Sequence, residues 1–284
     1  GYVRNYGFEA MLSYGHRWGD FSWDSSFTFS ANKNEIVELV KDYVHPETGK
    51  TYNVDKLELK TDEGRGFGKA KFILKEGGTL GDLYTHADLK RDINGNILID
   101  DSGNVTAIDN AGDIKLGSVL PKANLAWNNS FSYKGINAGF LLTARLGGIV
   151  YSATQAYLDL YGVSETSAAA RDAGGVWING RSRVNPQSFY EVVASQSGLP
   201  TYYTYSATNL RLQEAHIGYT VPRRWLGNVC DINVSLVGRN LWMIYCKAPF
   251  DPEAVATTNN YYQGIDYFMM PSTRNIGFNI KINF

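Results

Sequence analysis

The end of the chain carries its most regular pattern, an uninterrupted alternation of apolar and polar residues. Side chains on a strand point to opposite faces in turn, so this segment predicts a terminal strand with one apolar and one polar face. A bare apolar strand promotes aggregation in water, whereas a closed barrel pairs every strand and turns its apolar face to lipid. The pattern therefore favours a transmembrane barrel, and its apolar positions are Ile276, Phe278, Ile280, Ile282 and Phe284.

Similar alternation predicts further antiparallel strands upstream. The clearest lie near residues 6–18, 21–29, 123–133, 136–146, 205–220 and 231–241, and a weaker pair lies near 67–76 and 81–91. The apolar parity changes between Leu212 and Ala215, which predicts a β-bulge in that strand. Residues 32–66 read as a polar loop with a short helix near residues 35–40, and residues 147–203 have no strong period.

The connections between these strands alternate in length. Short turns are predicted near Gly19, Gly77, Gly135 and Pro222, and long segments at 32–66, 92–122, 147–204 and 242–271. Outer-membrane barrels have short periplasmic turns and long outer loops, whereas a soluble sandwich has no reason to collect its long loops at one end. If the weak pair is counted, this gives nine strands, extracellular long loops and a periplasmic carboxy-terminus.

In the six clear strands, the charged residues named below all fall on the polar parity. A charge that faces the middle of a bilayer costs about 2–4 kcal/mol for Arg or Lys, so a lipid-facing parity should carry none. A soluble β-sandwich would also exclude charge from its core, so this placement leaves both architectures open. The residues are Glu9, Arg17, Asp20, Asp24, Arg145, Asp231, Arg239 and Lys281.

The composition narrows the class of protein. With 27 basic and 28 acidic residues, the chain lacks the basic excess of a nucleic-acid binder. Aromatic residues make up 13% of the chain, including 19 Tyr and 6 Trp, which suits girdles at a membrane interface or a surface that binds sugars or peptides. No stretch approaches the roughly 18 apolar residues that a membrane-spanning helix requires.

The sequence offers no constellation of catalytic or metal-binding residues. Cys230 and Cys246 are too far apart along a strand to bridge, so we expect both to be unpaired. The four histidines are scattered, and no nucleophile elbow is present, so we expect no enzyme, cofactor or metal. The segment Asp92-Ile93-Asn94-Gly95-Asn96 resembles a calcium loop, but its glycine is misplaced and a hairpin turn at Asn94-Gly95 is favoured.

Several motifs together resemble one family. They are residues 209–222 (NLRLQEAHIGYTVP), 238–241 (GRNL), 250–253 (FDPE), 75–84 (KEGGTLGDLY), 92–96 (DINGN) and the closing segment 271–284. In combination they are similar to SusC/RagA-type TonB-dependent outer-membrane transporters, clearly from about residue 70 onward. No motif is specific when taken singly.

The resemblance implies an all-β fold, an antiparallel transmembrane β-barrel of 22 strands with a plug. We expect residues 1–284 to form about nine strands of its carboxy-terminal part, without the plug and the first strands. It also implies energy-coupled import of a glycan or peptide. The implied partners are a SusD-like lipoprotein on the outer face, outer-membrane lipid around the barrel, and TonB, which is contacted through the missing amino-terminal region. Asp231, Arg239 and Lys281 are then expected to face the plug or the lumen.

The terminal strand is also a candidate signal for the barrel-assembly machinery, carried by Phe278, Ile280, Ile282 and Phe284; the alternative is an ordinary closing strand. A second candidate set could contact substrate or partner, or simply pack among the loops. It consists of Tyr202, Tyr203, Tyr205, Tyr261, Tyr262 and Tyr267. Two other functions stay open: a passive pore or adhesin barrel, and a soluble β-sandwich that binds glycans.

Overall fold

The computed structural model describes residues 1–59, 66–227, 229–256 and 263–283. Strands account for 55% of the described residues and helices for 12%. All strand pairs of the main sheet are antiparallel, which confirms the predicted fold class. No helix among the described residues has the length of 18 residues and the apolar character needed to cross a membrane.

Seven strands form the main sheet, which we call the wall. They lie side by side in the order in which they occur along the chain, and within the described residues the sheet is open, with the first and last strands at its edges. The strands are β1 (Tyr2–Trp18), β2 (Phe21–Glu38), β3 (Ala123–Tyr133), β4 (Ile136–Leu146), β5 (Asn209–Val221), β6 (Asp231–Cys246) and β7 (Asn275–Asn283).

Short turns close one end of the wall and long connections leave the other. The β3–β4 turn consists of Lys134 and Gly135, both with positive φ (46° and 90°), as in the type I′ turns that match the twist of a hairpin. Gly19 and Asp20 join β1 to β2, and residues 222–230 join β5 to β6. Residues 39–122, 147–208 and 247–274 make the long connections, so the predicted alternation holds with seven strands.

The register gives the wall one apolar and one polar face. Directly opposed residues of an antiparallel pair lie on the same face, so the pairing can be followed from strand to strand. One such row runs through all seven strands: Trp18, Phe21, Tyr133, Ile136, Tyr219, Val234 and Ile280. The face that contains this row is called the apolar face, and the opposite one the polar face.

The predicted bulge in β5 is confirmed. The register of β5 shifts between Leu212 and Glu214 against β6, and β4 shifts between Leu141 and Leu142 against β5. The extra residue, Gln213, restores the apolar parity on both sides of the bulge. Leu212 therefore remains opposite Leu142 and Ala215 opposite Phe140.

The long connections fold together into one compact unit, which we call the loop body. Its buried core draws residues from all three connections, including Leu83, Tyr151 and Ile265. Short strands build it: Val40–Val44, Thr51–Val54, Lys56–Glu58, Gly66–Phe67, Ala70–Lys75, Asp82–Thr85, Asp88–Leu89, Ala107–Ile108, Ile114–Ser118, Ile149–Ser152, Val176–Ile178, Ser182–Val184, Thr204–Ser206 and Ile265–Asp266.

Three α-helices of eight residues also belong to the loop body: α1 (Ala153–Leu160), α2 (Glu165–Asp172) and α3 (Pro186–Val193). A side-chain oxygen caps each amino-terminus, supplied by Ser152, Ser164 and Asn185 in turn. Among the described residues, Ser195–Ser197 and Arg223–Leu226 form 3₁₀ helices.

Two details of the sequence-based prediction were wrong. The pair near residues 67–91 does form an antiparallel hairpin, with Ala70 opposite Thr85, but it lies in the loop body and not in the wall. Seven of the nine predicted strands therefore build the wall. The helix near residues 35–40 is absent from the described structure, because β2 continues as a strand to Glu38 and pairs with Tyr2 of β1.

Candidate functional site

The apolar face of the wall is exposed along its length. Phe278 is 77% exposed, Leu12 74% and Phe8 64%, so no layer of protein covers them among the described residues. Monomeric soluble proteins rarely leave a contiguous apolar surface of this extent open to water. The face can therefore lie against an apolar medium or another molecule.

Aromatic residues form a row across the apolar face near the short turns. Trp18 pairs with Phe21, which pairs with Tyr133, which pairs with Ile136 of β4. The rings of Trp18 and Phe21 stack with centroids 6.0 Å apart. Trp and Tyr in such a row are typical of a membrane interface, where one side of the ring is apolar and the other is wet.

Asn129 and Ser25 are polar residues on the apolar face, and each accepts a hydrogen bond from an indole of the neighbouring strand. Trp23 Nε1 of β2 donates to Asn129 Oδ1 of β3 at 3.0 Å, and Trp127 Nε1 of β3 donates to Ser25 Oγ of β2 at 3.0 Å. Asn129 is only 1% exposed. The two hydrogen bonds thus form a reciprocal arrangement across the β2–β3 pair.

The structure places Asp231, Arg239 and Lys281 on the polar face, as their parity predicts. Arg239 Nε contacts Glu214 Oε2 at 2.9 Å across the β5–β6 pair. Asp231 Oδ2 lies 3.2 Å from Arg223 Nε, and Lys281 lies opposite Asn233. Their contact with a plug or lumen stays a prediction.

A buried ion pair joins the last long connection to the wall. Arg211 of β5 and Asp251 have side chains only 7% and 9% exposed, with Nη2–Oδ1 at 2.8 Å and Nη1–Oδ2 at 3.3 Å. Ser272 Oγ donates to the same Asp251 carboxylate. Burial by itself would raise the pKa of Asp251, but the hydrogen bonds from Arg211 and Ser272 outweigh it, so that pKa lies below its ordinary value.

The residues around this ion pair extend the junction. Glu253 Oε2 lies 3.3 Å from Arg211 Nη2, and Asn209 Nδ2 donates to Glu253 Oε1 at 3.1 Å. The Phe250 ring meets Tyr205 edge to face with centroids 5.5 Å apart. Two of the motifs that carry the family resemblance, residues 209–222 and 250–253, therefore meet in space. Their local patterns gave no sign of this contact.

The candidate tyrosines at 202–205 lie mainly in packed surroundings. Tyr203 is 2% exposed and donates its hydroxyl to Asp159 Oδ2 at 3.0 Å; burial and then the Asp159 charge raise its pKa. Burial raises the pKa of Tyr205 to about 12. The Tyr202 ring lies edge to face with Phe189, at a centroid distance of 6.2 Å. These placements favour packing over ligand contact, most clearly for Tyr203.

Tyr267 belongs instead to an exposed aromatic cluster. Its ring lies 4.6 Å from Phe67, 6.2 Å from Tyr157 and 5.3 Å from Phe268 between centroids. Phe268 has a positive φ of 49° and donates its backbone N–H to Thr154 Oγ1 at 2.7 Å. Tyr261, Tyr262 and the final Phe284 lie outside the described residues. The substrate role of these tyrosines stays a prediction.

The segment at Asp92 is a turn, as favoured by the sequence. The Asp92 carboxylate accepts hydrogen bonds from Asn94 N, Asn96 N and Asn96 Nδ2, and Gly95 takes a positive φ of 83°. Asp100 forms a second, similar turn by accepting from the backbone of Ser102 and Asn104. These carboxylates bind their own backbone, which gives both aspartates a structural role.

The two cysteines are unpaired, as predicted. Cys230 immediately precedes β6 and Cys246 is its last residue, so the strand separates them.

The chain is similar in sequence to TonB-dependent receptors of Formosa agariphila. TonB-dependent receptor P3 is 25% identical over 289 residues, which cover 92% of this chain and 27% of the receptor. TonB-dependent receptor P26 is 25% identical over 310 residues, covering 100% of this chain and 29% of the receptor. No family model matches the chain.

The fold is similar to that of the RagAB peptide importer. In the closed-closed state of that importer, the match has a TM-score of 0.65 at 16% identity and covers 99% of this chain and 30% of the solved chain. A structure of the RagAB peptide transporter gives a TM-score of 0.64 at 16% identity, covering 99% and 29%. The chain thus spans less than a third of the length of each of these relatives.

Proposed function

Because this chain resembles SusC/RagA-type TonB-dependent transporters in both sequence and fold, we propose that it forms part of the wall and outer loops of an outer-membrane importer. In this proposal, residues 1–284 belong to the carboxy-terminal part of a plugged barrel. The whole protein imports a bulky nutrient, a glycan or peptide, by energy-coupled transport.

The exposed apolar face of the wall is the observation that carries the proposal. Seven antiparallel strands present a continuous apolar row on this face, and its large side chains remain uncovered among the described residues. Outer-membrane barrels need such a face because lipid covers it, while their polar face lines the lumen or the plug. A soluble sandwich would instead pack this face against a second sheet.

The span of the apolar face supports the same proposal. On β1 its aromatic limits are Tyr6 and Trp18, which are 12 residues apart. At roughly 3.3 Å per residue this is about 40 Å along the strand. A tilt of about 40° reduces the height to roughly 30 Å, close to the thickness of a bilayer core.

The proposal also specifies an orientation and partners. The short turns lie in the periplasm, and the loop body faces the outside, where a SusD-like lipoprotein binds it. Asp231, Arg239 and Lys281 face the plug or lumen, and TonB contacts a region of the protein outside this chain. The apolar residues of β7 provide the signal for the barrel-assembly machinery.

Nutrient uptake in the source bacterium tests the proposal. We expect deletion of the full gene to abolish uptake of one class of labelled nutrient, glycan or peptide, and deletion of tonB to abolish the same uptake. Uptake that survives loss of TonB would instead identify a passive pore. Binding to surfaces with no uptake in either strain would identify an adhesin.

A further inference from the structure

A cleft in the loop body lies between the three helices. It has a volume of about 340 Å³ and is lined by the end of α1, the middle of α2 and the first turns of α3. This volume lies at the lower end of the range for small-molecule sites. Most of the cleft lining is apolar, and a few polar side chains stand where they can orient a ligand.

The floor of the cleft contains a fixed carboxylate beside a phenol without a partner. Asp159 is 5% exposed and accepts from Gln155 Nε2 at 3.1 Å and from the Tyr203 hydroxyl at 3.0 Å. Tyr190 is 8% exposed, lines the cleft, and makes no side-chain hydrogen bond to a described residue. Burial and the charge of Asp159 raise the pKa of Tyr190, while Arg171 opposes the shift. The Tyr190 hydroxyl is therefore a neutral donor that lies near the charges of Asp159 and Arg171.

Arg171 provides a second donor that can reach a ligand. Within the described residues its guanidinium makes a single side-chain hydrogen bond, a long one of 3.5 Å to Ser167 Oγ. The guanidinium lies over Gly162, where a Cβ atom would come within 2.9 Å of Nη1. Gly162 has a φ of +68° and ends α1 in a Schellman motif, with Gly162 N bonded to Asp159 O and Val163 N to Leu158 O. The local backbone thus leaves room for the guanidinium.

The rim adds an acceptor and a flat ring. Glu191 Oε1 accepts from Gln187 Nε2 at 2.9 Å, which leaves the other carboxylate oxygen free among the described residues. Tyr161 is 75% exposed. Two carboxylates and one guanidinium give the lining a net negative charge, which disfavours an anionic ligand. Adjacent donors and acceptors beside an exposed ring suit a neutral ligand whose hydroxyl groups both donate and accept.

We propose that the helical cleft binds a sugar residue of a neutral glycan. The Arg171 guanidinium and the Tyr190 hydroxyl donate to sugar oxygens, the Glu191 carboxylate accepts from a neighbouring hydroxyl, and the Tyr161 ring packs on the apolar side of the sugar. This inference rests on the proposed import function and names its substrate class as glycan over peptide.

Calorimetry on the full-length protein, purified in detergent, tests the inference. The probes are neutral gluco-, xylo-, manno- and galacto-oligosaccharides, with a tryptic digest of casein as the peptide probe. We expect one oligosaccharide to bind and the Arg171→Ala substitution to weaken its binding about tenfold. Arg181→Ala is the matched control, because it removes the same charge from an exposed site outside the cleft and should leave the affinity unchanged.

Tyr161→Ala provides a second variant, since an exposed rim residue can be removed without disturbing the fold. We expect it to weaken oligosaccharide binding several-fold. The inference is overturned if no oligosaccharide binds, if only the peptide digest binds, or if Arg171→Ala and Arg181→Ala have the same effect. TonB-dependent peptide uptake without oligosaccharide binding would reject the cleft assignment and keep the import proposal. Arg171-dependent oligosaccharide binding without TonB-dependent uptake would keep the cleft assignment and reject the import proposal.

Discussion

The Arg211 guanidinium and the Asp251 carboxylate form a two-bond ion pair, buried where the last long connection meets the wall. Residue 211 lies on β5 and residue 251 follows β6, so the pair ties a loop to a strand beside it. Each charge is compensated by the other and by Ser272, Asn209 and Glu253. The position of the connection 247–274 therefore depends on a small number of polar contacts.

Breaking this pair should destabilise the protein strongly. In Asp251→Asn the buried Arg211 guanidinium retains only the partly exposed Glu253 as a countercharge, so we expect a loss of about 3 kcal/mol in the free energy of unfolding, the lower end for a broken buried pair. Urea titration of the protein in phospholipid vesicles measures it. The control is Arg239→Ala, which breaks the exposed pair with Glu214 and should cost about 0–1 kcal/mol. Equal effects would show that the Arg211–Asp251 pair contributes no more than a surface contact.

The contribution of the Asp251 carboxylate to the free energy of unfolding should disappear in acid. Its pKa in the folded protein lies below the ordinary 3.8, so the carboxylate stabilises the fold above that value and loses its effect as the pH falls through the lowered pKa. We expect the stability difference between wild type and Asp251→Asn to be constant above about pH 5 and to shrink below about pH 4. Thermal unfolding of both proteins across this range measures the difference. A stability difference that grows as the pH falls would contradict a lowered pKa for Asp251.

Trp23 and Asn129 should be energetically coupled in their contributions to the free energy of unfolding. Replacing Asn129 by Ala leaves a partly buried indole N–H without its acceptor, which costs about 1 kcal/mol. Trp23→Phe removes the donor, so Asn129→Ala should cost less in that background. A double-mutant cycle measured by urea unfolding should give a coupling of about 0.5–1 kcal/mol. Strictly additive effects would mean that the two side chains are not coupled.

A charge should be tolerated on one face of the wall and not on the other. Leu236 lies on the apolar face and is 55% exposed, whereas its neighbour Ser235 points to the polar face. We expect Leu236→Arg to cost about 2–4 kcal/mol in vesicles, because the guanidinium would face lipid. Ser235→Arg is the matched control and should cost much less. A reversal of this order would place lipid against the polar face.

Insertion of the protein into the outer membrane should depend on the apolar residues of β7. Ile280 pairs with Val234 and Asn279 with Ser235, so the two neighbours differ mainly in the face they occupy. We expect Ile280→Ser to slow insertion into the outer membrane and Asn279→Ser to have little effect, as followed by pulse-chase and membrane fractionation. The two variants assembling at the same rate would leave β7 as an ordinary closing strand.

Much of the wall could be predicted from the sequence because its pattern is local. A strand with one lipid-facing and one polar side repeats every two residues, so the strands that became β1 to β7, the bulge near Leu212 and the parity of Asp231, Arg239 and Lys281 are all visible without a fold. The turn at Asn94-Gly95 is equally local, since it depends on a few consecutive residues.

Only the tertiary structure decided how the long connections are used. It placed the 70–85 hairpin in the loop body, buried Tyr203 against Asp159, and brought Arg211 to Asp251 and Arg171 to Gly162. Contacts of this kind join residues that are far apart in sequence or belong to different elements, and no short-range period records them. The helices α1 to α3 were missed for a related reason, because at eight residues each their stability comes from packing rather than from their own sequences.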